Sequence, residues 1–140
     1  MNNKGFTLIE LIATIMILAL VMSIASYSII NIINRSKEEN YNYLLENIRN
    51  GAEVYYQECK YANNSGVTCT VNNGSYKITL GELLTSGYIK GNGKDNNNNY
   101  IIVNPKNNDS DIGDCVINVS FSDGKVKIVP EPSDGCPTGY

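Results

Sequence analysis

The sequence predicts an α+β protein: a long N-terminal helical spine, transmembrane in its first half and amphipathic in its second, packed over that second half against a small antiparallel β-sheet head. Three observations carry this reading. They are an apolar run from Phe6 to Ile33, an apolar stripe at helical spacing beyond it, and a series of short strand patterns separated by turns.

Of the 28 residues from Phe6 to Ile33, 21 are apolar, and the only formal charge is Glu10. At 1.5 Å per residue the run makes a helix of roughly 42 Å, longer than the ~30 Å hydrocarbon core of a bilayer. The chain average, a mean hydropathy of −0.21, conceals this segment. A secretory signal peptide would use Lys4 as its charged region and Ser23-Ile24-Ala25 as a small-x-small cut site. Its apolar stretch, however, runs only ~7 to 15 residues and lacks carboxylates. An ordinary signal anchor explains the length but not Glu10. A carboxylate one turn inside a membrane helix costs roughly 2.5 to 3.5 kcal/mol on insertion scales, so it implies a partner. The nearest cations are Lys4, on the other side of Gly5, and Arg35, beyond the far end of the run. The partner is therefore expected from another molecule or from a newly made amino terminus.

The residues Lys4-Gly5-Phe6-Thr7-Leu8-Ile9-Glu10, followed by an unbroken apolar stretch, resemble the class III signal of type IV prepilins and the related pseudopilins. The resemblance implies that residues 1–5 are a leader, cut between Gly5 and Phe6 on the cytoplasmic side by a prepilin peptidase that then N-methylates Phe6. A side-chain-free Gly5 suits close approach by a protease, and Lys4 holds the leader at the cytoplasmic face. Residues 6–33 become the transmembrane and then filament-core helix, and residues 34–140 a pilin head that includes the second half of the helix. In such filaments the Glu10 carboxylate meets the Phe6 amine of a neighbour. The implied partners are further copies of the chain in a helical homopolymer, the peptidase, a pilus assembly platform with its ATPase, and the cytoplasmic membrane before assembly. The implied role is a structural subunit of an extracellular type IV pilus on a bacterial surface, serving adhesion, motility or colonisation. A pseudopilin of a type II secretion or competence DNA-uptake system is the alternative. A membrane-anchored adhesive module is an alternative of another class. One departure is visible: the mid-helix Pro of many pilins has no counterpart in Met22 to Ile29, which carries Ser23, Ser26 and Ser28 instead.

Beyond the run, Leu44, Ile48, Ala52, Tyr55 and Cys59 fall at spacings of 4, 4, 3 and 4, while Lys37, Glu38, Glu46, Arg49 and Glu53 lie off that line. This predicts one helix from Phe6 to Cys59 with a buried stripe in its second half. Strands are expected at Ser75 to Thr79, Tyr100 to Val103, Cys115 to Phe121 and Lys125 to Val129. A short helical turn, Leu80 to Ser86, ends at Gly87. Asp123-Gly124 marks a hairpin, and the alternation of Ile117, Val119 and Phe121 with Asn118 and Ser120 marks a sheet with one buried face. A three- or four-stranded antiparallel sheet on the amphipathic half-helix follows.

The four cysteines, Cys59, Cys69, Cys115 and Cys136, contain no C-x-x-C pair and fall outside the membrane segment, so disulfides are expected rather than zinc. Of the three pairings, Cys59 with Cys69 and Cys115 with Cys136 are favoured because each closes a local loop. The second would staple the Pro130 to Tyr140 tail to the sheet, resembling the disulfide-bounded C-terminal region of type IV pilins.

With no His, the chain has no Ser-His-Asp triad, Cys-His dyad or His-ligated metal, and an enzyme is not expected. A net charge of −3 and a pI near 4.9 supply no footprint for nucleic acid. No cofactor is expected. Asp95, Asn97 and Asn99 have the alternate spacing of a calcium loop, but Tyr100 stands where Gly is needed and Lys106 where a bidentate Glu is needed. A calcium loop using Asp109, Asp111 or Asp114 is the weaker reading, and a solvated loop the stronger.

Overall fold

The structure, a computed structural model, describes residues 5–61, 69–107, 109–133 and 135–139. It contains a helix α1 (Leu8–Tyr61) followed by β1 (Thr70–Asn72), β2 (Ser75–Thr79), α2 (Leu80–Thr85), β3 (Gly93–Lys94), β4 (Tyr100–Ile101), β5 (Val103–Asn104), β6 (Ser110–Asp111), β7 (Val116–Ser122) and β8 (Lys125–Pro130). This is a pilin-like α+β arrangement. The chain divides into two compact units, Met1–Ser36 and Lys37–Tyr140, and α1 contributes to both.

In the first unit the described side chains of residues 5–36 are all exposed. Two hydroxyls in this apolar stretch bond to their own helix: Thr14 Oγ1 donates to Leu11 O at 2.8 Å and Ser23 Oγ to Ala19 O at 2.9 Å. A helix whose polar groups are satisfied internally is what a hydrocarbon environment demands.

In the second unit α1 buries Leu44, Ile48, Ala52, Tyr55 and Tyr56 against Ile78 of β2, Leu80 and Leu83 of α2, and Ile117 and Val119 of β7. Burying each large aliphatic side chain contributes roughly 1.5–3 kcal/mol. The main sheet is antiparallel with strand order β1-β2-β7-β8. Its register places Ile78 opposite Ile117 and Val119 opposite Ile128, so one face is apolar throughout. Both hairpins turn on two residues with positive φ, Asn73-Gly74 (49° and 80°) and Asp123-Gly124 (53° and 78°). That is the type I′ pattern that matches strand twist.

Four features differ from expectation. Strand β1 was not anticipated and completes the sheet. The expected strand Tyr100 to Val103 is instead two fragments that belong to other pairs, β3-β4 and β5-β6. The Asn92 side chain causes the break: its Nδ2 donates to Val103 O at 2.8 Å and its Oδ1 accepts from Val103 N at 2.7 Å, taking both backbone groups of that residue. Cys115 lies just before β7 rather than in it, and its carbonyl accepts from Leu80 N at 2.9 Å. The helix ends two residues later than expected, at Tyr61.

Five rings extend the core toward the end of α1. Tyr55 meets Tyr76 and Tyr88 edge-on with centroids at 6.4 and 5.8 Å, and Tyr56 stacks on Phe121 at 5.8 Å. Burial, reinforced by the hydrogen bond Tyr88 donates to Glu58 at 2.5 Å, pushes the Tyr88 phenol up to about 12.

The approach of the loop after α2 to the helix depends on Gly51. A Cβ there would lie 2.2 Å from Ile89 Cγ2 and 2.8 Å from Tyr88 O. Elsewhere in a helix Gly→Ala gains up to about 1 kcal/mol, but here backbone and a core Ile must move. Gly51→Ala is expected to destabilise the Lys37–Tyr140 unit by about 1–3 kcal/mol in a denaturant melt; an unchanged or higher stability contradicts this packing.

Candidate functional site

The helix start is built by four residues. Gly5 stands in open space, with no atom near the position of a Cβ, and Phe6 follows fully accessible. Lys4 lies outside the described residues. Thr7 and Glu10 form a capping box: Glu10 N donates to Thr7 Oγ1 at 3.3 Å, while Thr7 N and Thr7 Oγ1 donate to Glu10 Oε2 at 3.1 and 3.0 Å. The same device opens α2, where Thr79 and Glu82 exchange the equivalent bonds at 2.9–3.1 Å.

Two consequences follow. The capping box orients the Glu10 carboxylate toward the start of the helix, the positive end of its dipole. It also supplies hydrogen bonds but no cation, so a negative charge stands in an apolar surface with no countercharge among the described residues nearby. Thr7-Leu8-Ile9-Glu10 is a T-x-x-E capping signature immediately before an apolar run, a local signal of the Thr7 partner that the sequence carries beside the missing countercharge.

The cysteines form two bonds, Cys59–Cys69 and Cys115–Cys136. The first ties the end of α1 to the residue before β1. The second ties the start of β7 to the C-terminal tail, which is secured further by side chains that the sequence did not single out. Tyr41 Oη donates to Thr138 O at 3.1 Å and accepts from Thr138 N at 3.2 Å. The buried Asn104 donates its amide Nδ2 to Gly135 O at 2.9 Å. Lys106 Nζ sits 4.2 Å over the Tyr41 ring and 2.8 Å from Glu38.

In the 91–99 loop the Asp95 carboxylate is engaged by the chain itself. Its Oδ2 accepts from Asn99 Nδ2 at 3.0 Å, and its Oδ1 accepts from the N–H groups of Asn99 and Asn97, both at 2.8 Å. The Asn99 side chain, then these backbone donors, hold Asp95 below the usual carboxylate range. The loop geometry is that of an Asx turn.

Open Gly, accessible Phe, a capped Glu and a following apolar helix thus meet at one helix start. The chain carries a prokaryotic N-terminal methylation motif. The match covers residues 1–26, and this class III signal is characteristic of type IV pilins and pseudopilins. The motif therefore points to a structural subunit made as a membrane-anchored precursor. No curated protein and no solved structure matches the chain.

The Cys115–Cys136 bond spans 21 residues of sequence, for which chain entropy gives about 3 kcal/mol of stabilisation. Replacing both cysteines with Ala is expected to lower the stability of the Lys37–Tyr140 unit by about that amount. A non-reducing peptide map should return Cys59–Cys69 and Cys115–Cys136, and a dominant Cys59–Cys115 peptide contradicts the pairing.

Proposed function

We propose that this protein is a type IV pilin, a structural subunit that leaves the membrane to join an extracellular helical filament. A prepilin peptidase removes residues 1–5 and N-methylates Phe6. A separate ATP-powered machine then drives assembly. The observation that carries this reading is the capped Glu10 at the start of a helix whose described side chains are all exposed up to Ser36. Cleavage between Gly5 and Phe6 creates an ammonium one residue before the cap. In a filament, the carboxylate of one copy and the amine of the next neutralise each other, and both charges enter an apolar core as a pair.

The pair sets register more than affinity. Desolvation offsets much of its attraction, but removing one member strands the other. Assembly energy comes from the apolar helix surfaces, which exchange lipid for one another. The disulfide-secured tail and a unit of about 100 residues favour a long pilus exposed to the exterior over a small competence pseudopilin. The presence of Glu10 disfavours a capping subunit, which lacks that carboxylate.

Glu10→Val is expected to enter the membrane and lose its leader normally while fibre yield, measured by electron microscopy and in the sheared fraction, falls at least tenfold. Normal yield and length of fibre in that variant contradict the neutralisation mechanism.

A further inference from the structure

The Lys37–Tyr140 unit has two outward faces of opposite character. On α1, the side facing away from the core carries Tyr43, Val54 and Tyr61, which are 70%, 51% and 70% exposed. They are spaced 11 and 7 residues apart, so they fall on one line at 3.6 residues per turn. Glu46 and Glu53, seven residues apart and both exposed, flank that line, and no hydrogen bond or ion pair engages either among the described residues. Val54 and Tyr61 also border a shallow hollow with Glu53, Gln57 and Glu58.

On the sheet, Val126 and Ile128 of β8 pack toward the core, which turns Lys125, Lys127 and Val129 to the opposite face. Across the β7-β8 pair these outward residues meet Ser122, Ser120 and Asn118. Lys125 and Lys127 are exposed and form no ion pair among the described residues, whereas Lys77 on the same face is already held by Glu131 at 2.7 Å. Arg49 of α1, which lies between Glu46 and Glu53, lines a shallow groove with Lys125, Lys127 and Ile128. Asp123, the acid beside them, accepts from Ser122 Oγ at 3.1 Å.

Scattered exposed apolar residues need no explanation. Here an aromatic-aliphatic line on the helix is edged by unpaired acids, and unpaired bases stand with Val129 on the edge strand of the sheet. Among the described residues no ion pair joins Glu46 or Glu53 to Lys125 or Lys127 within one chain. A contact between unlike surfaces on different copies does not close on itself and propagates as a fibre. Lysines on an edge strand discourage strand-to-strand addition but suit an acidic helix face. We propose, resting on the filament reading above, that the Tyr43–Val54–Tyr61 line of one copy, with Glu46 and Glu53, docks on the Lys125–Lys127–Val129 face of the next copy.

Charge reversal tests this in the full chain. Fibre yield is measured for Glu46→Lys with Glu53→Lys, for Lys125→Glu with Lys127→Glu, and for all four substitutions together. Each pair of reversals is expected to cut yield at least tenfold, and the fourfold variant to recover at least half of the parental yield. Parental yield in either double variant, or no recovery in the fourfold variant, overturns this contact while leaving the filament reading intact. A parent chain that makes no fibre overturns both. Because all four side chains are exposed, recovery in the fourfold variant also separates a lost contact from a lost fold.

Discussion

The apolar surface of the first half of α1 has no cover within the described residues of its own unit, and water cannot be its solvent. Such a surface has two homes: a bilayer, or the matching surfaces of other copies. The rest of the molecule is consistent with moving from the first to the second. Hydroxyls in the segment bond inward to their own helix, the one carboxylate is placed at the helix start where a new ammonium can arise, and the water-facing residues gather in a separate unit with its own core.

Glu10 is the expensive residue in that scheme. Thr7 holds its carboxylate by two hydrogen bonds without neutralising it, so the monomer retains a charge that only a cation can balance. On the proposed reading the capping box does double service, satisfying the first turn of the helix and presenting the oxygen atoms to a neighbouring copy. In the second unit the corresponding economy is covalent. A modest core beneath a four-stranded sheet is reinforced by two disulfides and by Tyr41, which fixes the C-terminal tail to α1.

Much of this was legible in the sequence because it rests on periodicity and local chemistry. The apolar run, the 4-4-3-4 stripe, the Asp123-Gly124 hairpin and the strands of β2, β7 and β8 are all short-range patterns. Strand β1 was not read from the sequence: the Asn73-Gly74 turn marks its hairpin, but three residues are too few to show alternation. Other features depend on contacts between distant residues. The division of Tyr100 to Val103 is imposed by Asn92, and the need for Gly51 arises only when Ile89 arrives against the helix. The Thr7 partner of Glu10 was a local signal overlooked because a charge directs attention to countercharges.

The mature amino terminus, determined by mass spectrometry of protein isolated from the producing cell, tests the central claim most directly. A chain beginning at Phe6 with a methylated amine is the expected result, since it leaves the apolar helix intact and sets an ammonium beside the Glu10 cap. A chain beginning at Ser26 would mean that the apolar segment is discarded as a secretory signal, and would contradict both the membrane-to-filament route and the role of Glu10.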